Sequence, residues 1–353
     1  MKILHYIDEN NLSWSKPFVQ LLCELKNLGC ENIITCRPGG TFSDLLRENN
    51  FEVHEYKPLI SALPEFSCGF LKILRAVKPD IIHTRLSSAA KIAGFWGKKL
   101  NIPVVSTIDK FPKRKYYENA DFILPCSFAV KDFMISQGLE ESKMEVIPNA
   151  VDFEFYARDL RIREEIREFE RVNDKVVFLG MGRFVNWKGF DDLLKGFSEF
   201  LKTQSKPEKY ILWLAGDGVE KGNLIELSKN LGISESVKFW GFIQDVREIL
   251  WASDIYIHPS WGDEAFGLSL LEAMSSGLAC IASESGGMIE ILKDGAGLLF
   301  PKHDIKTLAL RMKECILKSN VLSLKAMLRA QDFDAKNIAE KTLNLYDKIT
   351  SLK

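Results

Sequence analysis

The sequence predicts an α/β protein made of two doubly wound, Rossmann-like domains. Three observations lead there. At 353 residues the chain is too long for one small core and suits two domains of ordinary size. Short apolar runs alternate with amphipathic helical stretches, the pattern of a parallel sheet wrapped by helices. The alternation also stops once, over 153–173, and then restarts. This divides the chain into a first domain (1–152), a linker (153–173), a second domain (174–333) and a last helix over about 334–353.

In the first domain, strands are expected at 2–7, 32–36, 52–56, 80–84, 104–108, 122–125 and 145–147. Helices are expected at 17–28, 41–48, 70–77, 87–100 and 127–137. The helix at 17–28 shows why: Phe18, Leu21, Leu22, Leu25 and Leu28 recur at helical spacing, with Pro17 at the start and Gly29 at the stop. The stretch 161–171, RIREEIREFER, is charged nearly throughout and reads as a linker helix or a solvated face at a domain junction. The second domain then gives strands at 176–181, 210–215, 237–240 and 254–258, with helices at 192–201, 224–230 and 246–251. A further apolar run at 289–292 and a helix after Asp304 complete it.

Composition excludes several functions. Apolar content of 46% and charged content of 27% describe an ordinary globular protein. A net charge of −1 leaves no global footprint for nucleic acid. Seven cysteines with no C-x-x-C pair argue against a disulfide framework or a zinc ribbon and fit a reducing cytosol. MKILHYID carries Asp8 and lacks a long apolar run, so no secretory signal is expected. No run approaches the ~20 apolar residues of a membrane span, so any membrane contact is expected to be peripheral, on the inner face.

The chemistry concentrates in 261–277, WGDEAFGLSLLEAMSSG, which joins an apolar strand to a helix and ends at a glycine before the run 278–282. Glu264 stands at the mouth of the helix. Glu272 lies eight residues on, about two turns along if the helix starts at Glu264. Between them Phe266, Gly267 and Leu268 offer backbone N–H groups where unpaired donors and the helix dipole attract anions. Phosphate at the tip with a carboxylate on each side suits a nucleotide-sugar. An amphipathic helix with two solvated glutamates accounts for the same letters. Gly182-Arg183, with Lys188-Gly189, also sits between a strand and a helix; glycine admits a phosphate and the cations neutralise it, or the loop is a tight turn with solvated cations.

Glu264-x7-Glu272 resembles the E-x7-E motif of retaining glycosyltransferases with the GT-B fold, of the family-4 kind. Other marks fall in that family's order: IPNAVD at 147–152, Gly182-Arg183 with Lys188-Gly189, Gly216-Asp217-Gly218, His258-Pro259-Ser260, and Gly286-Gly287 with Glu290. The resemblance implies two facing domains with a cleft, and a last helix packed back on the first domain. It also implies a nucleotide-diphosphate sugar, UDP- or GDP-linked, as co-substrate, with no other cofactor and no metal. It places Arg183 and Lys188 on the diphosphate and the backbone of Gly241, Phe242 and Ile243 on the base. Glu272 falls on the ribose, and Glu264 with Phe266 and Gly267 on the donor sugar. Leu268 and Ser269 take the diphosphate by the helix-terminus argument.

Three departures concern the acceptor side. The family often has His at the end of the fifth strand; Thr107-Ile108-Asp109 puts Asp109 there, as a catalytic group or as a turn or helix cap. The family's Gly-Gly loop after the first strand is replaced by DENNLSWSK at 8–16. Arg85 follows His83 where a second His is common, and His83 reads as structural.

Between Phe66 and Tyr117 eleven cations stand against two anions. Lys110, Lys113, Arg114, Lys115, Tyr116 and Tyr117 follow the fifth strand, where a ligand-facing loop is expected. The excess is a solvated surface, a seat for an anionic glycolipid acceptor, or a contact with an anionic membrane. The expectation is a cytosolic or membrane-peripheral retaining hexosyltransferase. It would act on a glycan or glycolipid, in lipopolysaccharide or cell-surface polysaccharide synthesis. A nucleotide-sugar epimerase on the same plan and a non-catalytic nucleotide-sugar-binding protein are the alternatives.

Overall fold

The structure, a computed structural model, describes residues 1–351 except Ser13, Ala62 and Asp263. It forms two compact units, Met1–Asp152 with Phe333–Lys353, and Phe153–Asp332. Each holds one all-parallel six-stranded sheet.

In the first unit the strands are β1 (Lys2–Ile7), β2 (Glu31–Cys36), β3 (Glu52–Glu55), β4 (Ile81–Arg85), β5 (Val104–Ile108) and β6 (Phe122–Pro125), in the order β3-β2-β1-β4-β5-β6. The order reverses beside β1, so the connections wrap both faces and the sheet is buried on both sides. β1, β4 and β5 are accordingly almost wholly buried, polar residues such as His83, Thr84 and Ser106 included. The core joins Ile3, Ile34 and Ile81 to Phe18, Leu22 and Leu25 of the helix Ser15–Asn27. Each such side chain contributes about 1.5–3 kcal/mol. The helix Ala335–Ser351 closes the same core through Ile338, Leu345 and Tyr346. Backbone bonds from Val151 to Phe333 (2.9 Å) and from Ala335 to Val151 (3.0 Å) tie it in.

Residues 145–147, expected as a strand, do not form one. They run beside β6 with two backbone bonds, Glu145 to Ile123 and Ile147 to Pro125, and the pairing ends before Pro148. Proline supplies no N–H to continue a ladder.

In the second unit β7 (Val176–Met181), β8 (Tyr210–Ala215), β9 (Val237–Gly241), β10 (Ile255–His258), β11 (Ala279–Ser283) and β12 (Leu298–Phe300) lie in the order β12-β11-β10-β7-β8-β9. Phe178 meets Phe197 and Phe200 edge-on at 5.8 and 5.4 Å in its core, a preferred geometry for rings. Asp304 caps the helix Ile305–Leu317 by accepting the Thr307 N–H at 2.9 Å.

The charged stretch expected as a linker belongs to this unit. Asp159 caps the helix Leu160–Phe169. Arg163 and Arg167 both reach Asp254, at 2.5 and 3.1 Å. Arg167 is buried and also donates to the carbonyls of Val172, Lys175 and Ala252. A run of charges reads as solvated when its partners are remote in sequence; here Asp254 lies 91 and 87 positions from Arg163 and Arg167.

Candidate functional site

The loops at the C-terminal ends of β7, β8 and β10 are packed backbone to backbone. A side chain on Gly216 would strike the Gly182 carbonyl, and one on Gly189 the Pro259 carbonyl. The Trp187 carbonyl accepts from the N–H groups of Trp261 and Gly262 at 3.0 and 3.1 Å. This staples the Arg183–Lys188 loop to the Glu264 loop. Behind the latter, Gly287 donates to the Glu264 carbonyl at 3.0 Å. Gly286 has φ +46° and lies against the Glu264 backbone, where no side chain fits.

The helix of the E-x7-E segment is Leu268–Ser275, so it starts four residues after Glu264 and not at it. Glu264 therefore stands on the approach loop and Glu272 in the second turn. Gly267 is the N-cap, with no side chain to bond the first turn. Met288 fills the space its Cβ would need.

A pocket of about 280 Å³ opens beside this helix, lined by Met181, Gly182, Arg183, Ala215, Gly216, Asp217, Phe242, Ile243, Val246, Ser269 and Glu272. It brings together five of the residues assigned to donor binding: Arg183, Phe242, Ile243, Ser269 and Glu272. Arg183 makes no ion pair among the described residues, so its guanidinium is available to an anion. Phe242 is 78% exposed. Glu272 accepts from the Tyr156 hydroxyl at 3.0 Å, and burial raises its pKa above the ordinary value. The Ser269 hydroxyl is fixed by Tyr256, which donates to it at 2.9 Å.

Lys188 and Glu264 form a neighbouring pair. Lys188 Nζ lies 3.0 and 2.9 Å from the two Glu264 oxygens, and His258 Nε2 lies 3.6 Å away. Burial alone would push the Glu264 carboxyl up, but His258 and Lys188 pull it down to about 2. Burial also holds His258 below its usual range, against the pull of Glu264. At neutral pH the full positive charge facing Glu264 is therefore that of Lys188.

Of the remaining donor-site expectations, Gly241 is turned inward, its carbonyl accepting from Gly216 N–H at 2.7 Å. Phe266 is buried. Leu268 opens the helix. The sequence reading missed Met181, Ala215, Val246 and Tyr156. Gly216-Asp217-Gly218 after a strand was a usable signal for that wall; nothing local marks Tyr156.

In the first unit, Asp109 follows β5 and Arg85 ends β4. Their side chains meet at 3.1 Å, and Arg85 also donates to Asn149 Oδ1 at 3.2 Å. Asp109 is an ion-pair partner and caps no helix. Arg85 Nε and Asp109 Oδ1 are buried with no hydrogen-bond partner among the described residues. His83 is structural: it bonds Thr107 Oγ1 at 2.7 Å and the Tyr346 hydroxyl, and burial, with His5 and Arg85 nearby, keeps it neutral.

The basic loop divides. Lys110, Lys113 and Lys115 are exposed, and Lys115 lies 5.3 Å over the partly buried Tyr116 ring. One assignment to a free surface is corrected, that of Tyr117, and exposed Arg114 is held in place by partners. Tyr117 is 3% exposed and its hydroxyl meets Ser87 at 3.3 Å. Arg114 is tied to Glu118 at 3.0 Å and to the carbonyls of Gln137 and Gly138.

Two doubly wound six-stranded parallel sheets define the GT-B class. The model for Glycosyl transferases group 1 matches residues 162–330, and that for Glycosyltransferase Family 4 matches residues 18–155. The lipopolysaccharide core biosynthesis glycosyltransferase LpsE of Rhizobium meliloti (strain 1021) is 26% identical over 340 residues, 94% of this chain and 93% of LpsE. LpsD of the same strain is 27% identical over 291 residues, 81% of this chain and 79% of LpsD. Anabaena Alr3699/HepE, solved in complex with UDP, superposes with a TM-score of 0.87 at 20% identity, over 99% of this chain and all of that one. At that identity the likeness speaks for the fold. The chain belongs to the group 1 glycosyltransferases of the GT-B kind. Among the described residues no helix is long and apolar enough to cross a membrane, and no three His, Cys, Asp or Glu side chains converge as metal ligands.

Proposed function

We propose that this glycosyltransferase moves a hexosyl unit, with retention, from a UDP- or GDP-linked sugar to a glycan or glycolipid. The observation that carries the reading is the pocket where unpaired Arg183, the first helical turn at Ser269 and the Glu272 carboxylate line one cavity. Arg183 and Lys188 hold the diphosphate. Glu272 accepts the ribose hydroxyls, and the backbone at Gly241, Phe242 and Ile243 receives the base. Glu264, with Phe266 and Gly267, orients the sugar hydroxyls. Leu268 and Ser269 offer N–H groups to phosphate.

The step is a front-face displacement. The bond from the anomeric carbon to the phosphate oxygen breaks, the acceptor oxygen bonds the same face, and its proton passes to the departing diphosphate. The protein's part is electrostatic: cations fixed before the charge develops. It is written without a metal or other cofactor. Asp109, held by Arg85, takes an acceptor or sugar hydroxyl. Exposed Lys110, Lys113 and Lys115, with Tyr116, form the acceptor side. The names of the LpsE and LpsD relatives support a lipopolysaccharide or surface-polysaccharide product, made at the inner face of the membrane.

Incubation with labelled UDP- and GDP-sugars tests this. Transfer, or slow hydrolysis with retained anomeric configuration by NMR, is expected. Epimerised sugar, or bound but unchanged donor, overturns the reading.

A further inference from the structure

His303 stands in a backbone conformation that suits glycine. It is the third residue of a turn that leads from β12 into the helix Ile305–Leu317 and is closed by the Asp304 N–H on the Pro301 carbonyl at 3.1 Å. Its φ is +63°. Glycine adopts such a turn position without steric cost, and a residue with a side chain does not. The imidazole that stands there makes two contacts. Its Nδ1 lies 2.8 Å from Asp192 Oδ2, and its ring centre lies 5.1 Å from that of Trp261.

Both partners are tied to the loops that build the donor site. Asp192 is buried in the first turn of the helix Phe190–Lys202, which follows the Arg183–Lys188 loop. Lys195 stands 3.8 Å from the other Asp192 oxygen but is held by Asp191 at 2.8 Å. Asp304, next to His303, accepts from the Thr307 N–H and hydroxyl at 2.9 and 2.7 Å. Trp261 opens the loop that carries Glu264. Its N–H donates to the Trp187 carbonyl at 3.0 Å, and the Trp187 ring lies where a Gly262 Cβ would stand. A shift of Trp261 is therefore passed to Trp187, and so to Lys188 beside it.

We propose that His303 is a positioning residue of the donor site. By bonding Asp192 and packing on Trp261 it holds the loops of Lys188 and Glu264 at the spacing at which that pair meets the donor. The proposal rests on the reading of Lys188 and Glu264 as donor groups. His303 does not line the pocket, so its effect passes through them. A turn histidine kept only for stability would move the melting temperature and leave the balance of ligand affinities alone.

Calorimetric titration tests this, with the UDP- or GDP-sugar that wild type binds and with the matching nucleoside monophosphate, which lacks the sugar and the outer phosphate. Turnover and melting temperature are read in parallel. H303G relieves the turn and removes both contacts. D192N removes the charge that His303 meets, and K188A and E264A remove the donor groups themselves. H303G and D192N are expected to weaken the intact sugar nucleotide about tenfold, as misplaced donor groups would. They should also lower turnover, with the monophosphate bound as by wild type. H303G should melt close to wild type, because the relieved turn offsets the lost contacts. Wild-type affinity for the sugar nucleotide in H303G and D192N, beside weakened binding in K188A and E264A, overturns this proposal alone. Unchanged binding in all four variants, or no sugar nucleotide bound by wild type, overturns the donor reading and takes the proposal with it. Equal losses for sugar nucleotide and monophosphate in H303G and D192N report general damage to the fold and also overturn it.

Discussion

Lys188 and Glu264 are 76 positions apart in the chain, yet Lys188 Nζ sits within 3.0 Å of both carboxylate oxygens. Both side chains are largely buried, so each neutralises the other where water cannot. The pair links the loop after β7 to the loop after β10 and fixes where Glu264 presents its oxygens.

That pairing sets a pH dependence. The folded Glu264 pKa, about 2, lies below its ordinary 4.5. The group therefore adds stability above about pH 4.5, and the increment is lost as pH falls towards 2. Its size is about 3 kcal/mol at most. E264Q should lose this part of the pH dependence between pH 5 and 2 (roughly those limits), measured by urea unfolding. A wild-type slope in the variant would mean that other carboxylates carry it.

R183A and K188A should each lower turnover by about 10²–10³, because both meet charge that grows as the donor bond breaks. K188A should also lower the melting temperature, since it strands the Glu264 charge, whereas R183A, exposed and unpaired, should not. Steady-state rates within twofold of wild type for both variants would remove them from the diphosphate.

E272A should weaken binding of the free nucleoside diphosphate, and E264A only that of the intact donor. Y156F should weaken the nucleotide about tenfold by freeing the Glu272 carboxylate to turn. Because burial raises the Glu272 pKa, nucleotide affinity should start to fall on acidification at a higher pH than for an ordinary carboxylate. Calorimetric titrations check all three, and a reversed ranking of E272A and E264A would exchange their roles.

G286A should be inactive and destabilised. Its φ of +46° disfavours any side chain, and the added methyl would push on the Glu264 backbone. G222A, where a Cβ meets nothing within 4 Å inside a helix, should be neutral or slightly stabilising and serves as the control. Equal melting temperatures and rates for the two variants would contradict the packing account.

Reversing Lys110, Lys113 and Lys115 to Glu should raise the acceptor Michaelis constant and leave donor hydrolysis unchanged. Arg114 is left out because it holds the Gln137–Gly138 turn, and R114A should lower stability instead. An unchanged acceptor constant would return these lysines to an ordinary solvated surface.

Much of this protein was legible in the sequence for one physical reason: periodicity is local. Apolar runs gave β1, β2 and β4–β6 to within a residue or two, and β7–β11 nearly as closely, because strands buried on both faces leave little choice of residue. The helix starting at Asp304 was legible because capping is a contact between neighbours. The glutamates of the E-x7-E segment and the cations of the Arg183–Lys188 loop stood out through their resemblance to a family's motifs; residue type and spacing alone left a solvated helix and a tight turn open.

Partnership across the chain was not legible. Sequence spacing suggested two turns of helix between Glu264 and Glu272; packing of Gly286 and Gly287 on the Glu264–Phe266 backbone turned half of that interval into a loop. Charge alone made 161–171 a solvated junction, but half-buried Asp254 and the carbonyls around it drew Arg163 and Arg167 inward. The same holds at the basic loop, where Tyr117 and Arg114 look as free as Lys113 until Ser87 and the Gln137–Gly138 carbonyls are placed beside them. The sequence by itself determined two parallel-sheet units and the residue types available for chemistry. Only the tertiary structure decided which charges are neutralised and which, like Arg183, form no ion pair among the described residues, because that depends on backbones meeting at distances no local pattern encodes.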